Sequence, residues 1–494
     1  MAGPDPTPYP LDHLARRGLP EAAALAADGE AITYALLDEQ VGRVASALLA
    51  VGLEPGDRIA SWMGKTRLAC LLPLAAARAG LVHVPLNPVL RRAQAGHILA
   101  DSGARLLVAN RSRLDTLAEG DRAQAKPLAL EDWRDGEEAL PPSDHDPGSV
   151  AALFYTSGST GRPKGVMLTH ANLWLGAISV ASYLGISSDD RTLCVLPLAF
   201  DYGQSQLLST WAAGAQAIAF DYLLPRDVVR AVRRHDVTVL AGVPPLWHQL
   251  AAADWSGGEG ASLRTLTNSG GHLPLPLVRR LRSLFPQARL HLMYGLTEAF
   301  RSTSLDPALV DDHPDSVGTA IPFAEVRIMR PDGSEAEAGE EGELVHAGPL
   351  VAQGYWRDPD RTAERFRKGE VWSGDRAVKG EDGLIRFRGR ADAMIKTSGN
   401  RVSPTEVEEA ALASGAVAQA VALGIADEAL GQAILLVAEP KGEHAEDRLR
   451  AYLAAELPAF MRPARIIWRD ELPVSPNGKL DRSRIKAEAQ EDQA

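Results

Sequence analysis

Cysteine is nearly absent: the 494 residues hold two, Cys70 and Cys194. Neither has metal-ligand neighbours at useful spacing, which argues against a zinc site. Each reads as a small buried hydrophobe, and such sparse usage fits a reducing cytoplasm. Long basic tracts are missing too, and the net charge is −12. That argues against nucleic acid or an anionic membrane as the main partner. There is no long unbroken apolar run. The stretch 68–86 comes nearest, but Pro73, Arg78 and Pro85 interrupt it. It reads as a buried helix and strand rather than a membrane span. The first ten residues are proline-rich, with no basic region leading into an apolar core, so no signal peptide is readable.

What is present is ordinary globular material, 45% hydrophobic and 23% charged. A chain of this length is too long for one core, so at least two domains are expected. An alanine- and leucine-rich pattern predicts helix over 12–49. Strand and helix then alternate: strands at 58–62, 82–85 and 105–109, with helices at 68–78 and 91–100. The polar stretch 114–147 reads as a loop-rich connection. Alternation resumes with strands at 192–196, 215–220, 237–241, 263–268 and 289–293, and helices such as 225–235 and 275–285. This is the mark of a doubly wound α/β sheet, here in two halves. Short strands at 325–330, 342–346, 370–373 and 384–387 follow, with Asp332-Gly333 and Asp382-Gly383 as hairpin-type turns. Past Gly389 the pattern is helix, strand, strand, helix, strand: 404–413, 417–424, 433–439, 445–456 and 464–468. About a hundred residues of this kind suffice for a compact α+β domain. The expected division is a large N-terminal domain, 1–391, comprising two βα subdomains and a small β-rich one, and a small mobile C-terminal domain, 392–494. Residues 486–494 are expected to fray.

The densest chemistry lies in Tyr155-Thr156-Ser157-Gly158-Ser159-Thr160-Gly161-Arg162-Pro163-Lys164-Gly165, between an apolar run at 150–154 and a helical pattern at 170–184. Strand, flexible loop, then helix is the layout of a phosphate-binding turn. Glycines let the backbone fold tightly, while hydroxyls and amides can face an anion. Lys164 adds a charge and Arg162 a fork of donors. No glycine in this loop is followed directly by Lys-Ser or Lys-Thr, so it is not a Walker A loop. A linker shares the composition; the Pro-Lys-Gly ending and the flanking elements favour phosphate. Further clusters are Gly270-Gly271, Tyr294-Gly295-Leu296-Thr297-Glu298, Trp372-Ser373-Gly374-Asp375, the run 389–396, and Pro476-Asn477-Gly478-Lys479-Leu480-Asp481-Arg482. Taken singly, each reads equally well as a turn or a solvated surface.

In this order and rough separation, the clusters resemble the AMP-forming adenylating enzymes. That superfamily includes acyl-CoA synthetases, peptide-synthetase adenylation domains and firefly luciferase. The resemblance covers nearly the whole chain. It implies an acid–thiol ligase using ATP and Mg²⁺. By it, Thr156, Ser157, Gly158, Ser159, Thr160, Gly161 and Lys164 handle the β- and γ-phosphates. Gly270 and Gly271 face the adenine, and Tyr294 and Gly295 lie against it. Thr297 contacts the α-phosphate and Glu298 binds Mg²⁺, an apt hard-oxygen ligand. Asp375 accepts from the ribose hydroxyls, and Arg390 contacts ribose or phosphate. Asp392 is the hinge, and Lys396 and Gly399 face the thiol-transfer state. Lys479 bridges the substrate carboxylate and the α-phosphate.

The substrate is read from Asp201. Amino-acid-activating members carry Phe-Asp where this chain has Phe200-Asp201, and that aspartate grips the ammonium. The other reading is that Asp201 caps a helix beginning near Gly203. Tyr202, Ser205, Gly242, Thr267, Ser269, Met293, Arg301 and Ser302 complete the implied pocket. Arg301 either pairs with Asp201 or binds a second substrate carboxylate; pairing weakens the amino-acid reading. The expected thiol is the phosphopantetheine of a separate carrier protein, with free CoA second. The expected reaction is adenylation of a small amino acid; the alternative is an acyl-CoA ligase acting on a non-amino acid. A luciferase-like oxidase and a nucleotide-binding regulator are the remaining classes.

Overall fold

The computed structural model describes residues 3–157, 163–390, 394–397, 400–427 and 430–491. Among these, nine strands form the largest sheet. Arg289–Tyr294, Thr265–Asn268, Val239–Gly242, Arg191–Cys194, Gln216–Ala219 and Ala23–Ala27 lie side by side in parallel. Short antiparallel strands close both edges. A six-stranded sheet runs in the order Lys126–Ala129, Leu106–Ala109, Arg58–Trp62, Val82–Pro85, Val150–Ser157, Pro163–Thr169. Parallel strands buried on both faces need apolar runs, and Leu106, Leu107, Val108 and Ala109 are all within 2% of full burial.

The helices Arg67–Arg78 and His170–Leu184 are buried nearly all round, the expected state of a helix inside a large core. Thr169 caps the second reciprocally with Asn172: each side chain accepts from the other's backbone N–H, at 3.0 and 2.9 Å. One continuous core joins these helices to both sheets.

Two places organise the rest. The strand after Arg191–Cys194 in the chain lies on one side of it, and the next lies on the other. Arg58–Trp62 is flanked in the same way by Val82–Pro85 and Leu106–Ala109. Such reversals of strand order leave a crevice beyond the strands' C-terminal ends, where open α/β sheets bind ligands. An antiparallel sheet built on Glu325–Met329, Glu341–Ala347, Glu370–Lys379 and Ile385–Arg390 follows. The last unit packs Pro404–Ala413 and Ala445–Glu456 on one face of a sheet built on Val417–Asp427 and Gly431–Pro440. Arg482–Glu491 packs on the other. This unit has its own cores on both faces.

Four expectations are corrected. Residues 12–49 are not all helix: a short 3-10 turn precedes strands Ala23–Ala27 and Glu30–Thr33, and the helix is Tyr34–Ala50. Asp28 and Gly29 both have positive φ, +54° and +84°, as a tight hairpin requires. Pairing with Gln216–Ala219 overrides the helix preference of the alanines. Within 114–147 the strand Lys126–Ala129 extends the second sheet. The stretch after 158–162 does not pass straight into a helix: the strand Pro163–Thr169, antiparallel to Val150–Ser157, comes first, and the helix follows at His170 as expected. Finally, the C-terminal tail is helical through Glu491, anchored by buried Ile485 and Ala489.

Candidate active site

The site forms where the strand ends of the large sheet meet the β-rich sheet and the final unit. The segment Gly158, Ser159, Thr160 and Gly161 lies outside the described residues, as do Asp392 and Gly399. Only the backbones of Ser157, Arg390 and Lys396 are described, each in a strand. Thr156, near the end of the leading strand, has a buried hydroxyl with no partner among the described residues. Lys164, on the returning strand, donates to the Tyr355 hydroxyl at 2.6 Å and lies 3.4 Å from Glu298 Oε1. Burial pulls the Lys164 ammonium below its ordinary pKa, with Glu298 opposing.

Glu298 stands in the short turn Thr297–Ala299, just past Arg289–Tyr294. The turn ends at Phe300, whose φ of +58° is costly for a non-glycine residue. Phe300 is wedged against Gly176, where a Cβ would lie 2.5 Å from its ring. That reversal brings Arg301 back beneath the strand end, and a Cβ on Gly295 would lie 2.9 Å from its Cα.

Asp201 is not the helix cap. The helix runs Asp201–Ala212, Phe200 is its N-cap residue, and Asp201 occupies its first turn. Its carboxylate is already engaged. Arg301 Nη1 donates to Oδ2 at 2.7 Å and the Thr297 hydroxyl to Oδ1 at 3.1 Å. Both members of the ion pair are buried, 2% and 6% exposed. Arg301 also lies over the Tyr202 ring, 4.6 Å from its centroid. Its Nη2 is buried without a partner among the described residues.

The remaining expected pocket residues are held by separate contacts. Tyr202 and Thr267 share a 2.5 Å hydroxyl bond. Trp247 donates to the Thr267 carbonyl and fills the space beside Gly242. Met293 takes a hydrogen bond from Tyr183. Ser205 lies one turn beyond Tyr202, and Ser205 and Ser269 are buried. Ser302 bonds to His346 Nδ1 at 2.8 Å. Tyr294 donates to Asp375 Oδ2 at 2.5 Å and its ring leans on Phe387.

Lys479 reaches this site from the final unit. Its side chain lies across Gly270, whose φ is +79° and where a Cβ would come 2.6 Å from Lys479 Cε. Gly271 beside it abuts Pro244. The Lys479 ammonium sits 4.9 Å from the Phe200 ring centroid. Burial lowers its pKa, while the charges of Asp201, Asp375 and Glu298 resist that and Arg301 adds to it. Asn87 secures the turn, donating to the Pro476 carbonyl and Asn477 Oδ1, both at 2.9 Å. Next to this turn a cavity of about 320 Å³ opens between Ser61, His83, Leu198, Val243 and Asn477.

Sequence reasoning missed Tyr355, Asn87 and Tyr183. Their roles arise from contacts distant in the chain. The one local sign was a tyrosine held in Gly354-Tyr355-Trp356.

The geometry has counterparts in known proteins. A family model described as AMP-binding enzyme matches residues 12–356, and one described as AMP-binding enzyme C-terminal domain matches 406–479. A feruloyl-CoA synthase of an Amycolatopsis species is 36% identical over 478 residues, covering 94% of this chain and 96% of that protein. An L-proline–[L-prolyl-carrier protein] ligase of Pseudomonas fluorescens is 31% identical over 483 residues, covering 94% and 95%. ATP-bound MatB from Rhodopseudomonas palustris matches with a TM-score of 0.90 at 27% identity, covering 99% of this chain and all of that one.

Proposed function

This chain belongs to the AMP-binding enzyme family, and from that premise we propose that it activates a carboxylic acid as its adenylate and passes the acyl group to a thiol. The observation that carries this reading is Lys479, delivered from a separate folding unit onto Gly270 beside Phe200 and the Asp201–Arg301 pair.

The residues fit ATP. The orphaned Thr156 hydroxyl and Lys164 offer donors to the outer phosphates. Tyr294 and Asp375 offer a flat ring and a carboxylate to the nucleoside. Glu298 fits Mg²⁺, since Oε2 makes no hydrogen bond among the described residues and phosphates can supply further oxygens. Mg²⁺ bound there would neutralise phosphate charge. In the first step a carboxylate oxygen attacks the α-phosphorus, the bond to the β-phosphate oxygen breaks, and pyrophosphate leaves. Lys479 neutralises charge shared between the incoming carboxylate and the α-phosphate. In the second step a thiol sulfur attacks the acyl carbon, its proton is lost, and AMP departs. The lysine must withdraw for the thiol to enter, so the final unit swings about Asp392 between steps. The functional division is 1–391 and 392–494.

The Asp201–Arg301 pair revises the substrate. An ammonium placed at Asp201 meets a carboxylate already neutralised and twice hydrogen-bonded. Arg301 Nη2 is instead a buried donor in want of an acceptor, and leaving such a group unpaired costs about 1–3 kcal/mol. The reading favoured is an acid carrying an oxygen acceptor, carboxylate, carbonyl or hydroxyl, at its far end. Amino-acid activation is the second reading, supported by the Phe200-Asp201 pair and the prolyl-carrier ligase relative. The acceptor thiol is phosphopantetheine, on a carrier protein or on CoA; the two relatives use one each, by name.

ATP–pyrophosphate exchange across hydroxy, oxo, dicarboxylic and amino acids tests this. Exchange with an oxygenated acid that Arg301→Ala abolishes supports the first reading. Exchange with an amino acid that depends on Asp201 and survives Arg301→Ala supports the second. No exchange with any acid, despite ATP binding, would overturn both.

A further inference from the structure

The short segment 352–356 is sewn to two parts of the site at once. Ala352 N–H donates to the Glu298 carbonyl at 2.8 Å. Gln353 N–H donates to the Met167 carbonyl, Met167 N–H to Gly354, and Trp356 N–H to Gly165, at 2.8–3.0 Å. The segment therefore ties the strand bearing Lys164 to the turn bearing Glu298. Gly354 makes the bend, with φ +130° and Thr362 Cγ2 only 2.4 Å from where a Cβ would stand.

Tyr355 at its centre is 3% exposed. Its hydroxyl donates to Glu298 Oε1 at 2.7 Å and accepts from Lys164 Nζ at 2.6 Å. The Lys164 ammonium also lies 3.8 Å from the ring centroid. The ring is held edge-on by Phe366, with centroids 5.3 Å apart. One phenol thus stands between the lysine of the phosphate loop and the glutamate offered to the metal.

We propose that Tyr355 is a positioning residue that keeps Glu298 and Lys164 from closing on each other, so that each can be taken up by MgATP. The hydroxyl occupies Oε1 and leaves Oε2 to face a cation. It also spreads the lysine's charge over an oxygen and a π face. Without it, the 3.4 Å ion pair between Lys164 and Glu298 can tighten into a short, direct hydrogen bond. MgATP would then have to break that pair before either charge could serve.

This rests on the reading of Glu298 as the metal ligand, and the experiment separates the two ideas. ATP affinity is measured by calorimetry on the full chain, with Mg²⁺ and with EDTA, for wild type, Tyr355→Phe, Phe366→Leu and Glu298→Gln. Tyr355→Phe keeps the ring and its contact with Phe366. Its loss of the hydroxyl's two charge-assisted bonds should cut the affinity gained from Mg²⁺ about tenfold, with metal-free ATP binding within about twofold of wild type. Phe366→Leu should lower the melting temperature yet retain the Mg²⁺ gain. A Tyr355→Phe protein with the wild-type gain overturns the proposal. So does a Phe366→Leu protein that loses as much, because packing would then explain the effect. A Glu298→Gln protein that keeps the full gain overturns the metal-ligand reading itself.

Discussion

Lys479 is a cation brought to a place that disfavours cations. Burial depresses it, and only carboxylates across the site hold its charge. Its replacement by alanine is expected to slow pyrophosphate exchange by roughly 10²–10³-fold, as for loss of one preorganised charge-stabilising donor. Thioester formation from supplied acyl-adenylate should be largely spared, which rapid-quench assays of the second step can check. The Asp201–Arg301 pair makes a different demand. Removing Arg301 alone strands a buried carboxylate and should cost about 3–5 kcal/mol in denaturant unfolding. Replacing both with apolar residues of similar volume should recover most of that stability while still abolishing activity. If the single and double replacements unfold alike, the stranded charge is not what costs the single variant its stability.

Among elements, the helix Asp201–Ala212 is the most tightly specified. Gly203 sits where a Cβ would approach the Pro197 carbonyl oxygen to 1.9 Å. Gly203→Ala should displace the 195–200 loop and cost about 1–3 kcal/mol, seen as a lower unfolding midpoint with an unchanged denaturant slope. This helix also shows where sequence reading succeeds and where it stops. Strands such as Arg58–Trp62 and helices such as His170–Leu184 were legible to the residue, because periodicity and caps are local. The strand Ala23–Ala27 was not, since its state depends on Gln216–Ala219 nearly two hundred residues away. The strand Pro163–Thr169, between the 158–162 stretch and the helix His170–Leu184, was missed, because only its pairing with Val150–Ser157 reveals it. Gly270, Tyr294, Glu298, Asp375 and Lys479 were all placed by motif. What Arg301 does was left as two alternatives, because a choice between an internal partner and a ligand is three-dimensional.

At the scale of the molecule, the question is how the final unit is held down. Asn87 grips its lysine turn, and His272 Nε2 lies 3.0 Å from Glu409 Oε1 across the same boundary. Glu409, nearly half exposed, is pushed up to about 7 by desolvation and by Glu406, Asp315 and Glu408, with Arg388 opposing. Burial lowers His272. The docked form therefore holds a proton on Glu409 that the undocked form releases at lower pH. Through Glu409, docking should weaken as pH rises from about 4.5 to about 7, while His272, lowered by burial, acts the other way as pH rises toward the ordinary histidine range. Glu409→Gln should flatten that dependence. Fluorescence transfer between a dye on each unit would report it, and an unchanged slope in the variant would assign the effect elsewhere. Lys479 acts in the opposite sense at alkaline pH, where its lowered pKa favours docking.

The order of the parts along the chain has one more consequence. The segments proposed above to hold phosphate, acid, metal and ribose are all translated before Lys479, and domains fold N-terminal first as they leave the ribosome. A nascent chain can thus assemble a nucleotide cradle while the lysine that makes it dangerous is still unmade. On the proposed reading, little of the reactive mixed anhydride forms on a half-built protein.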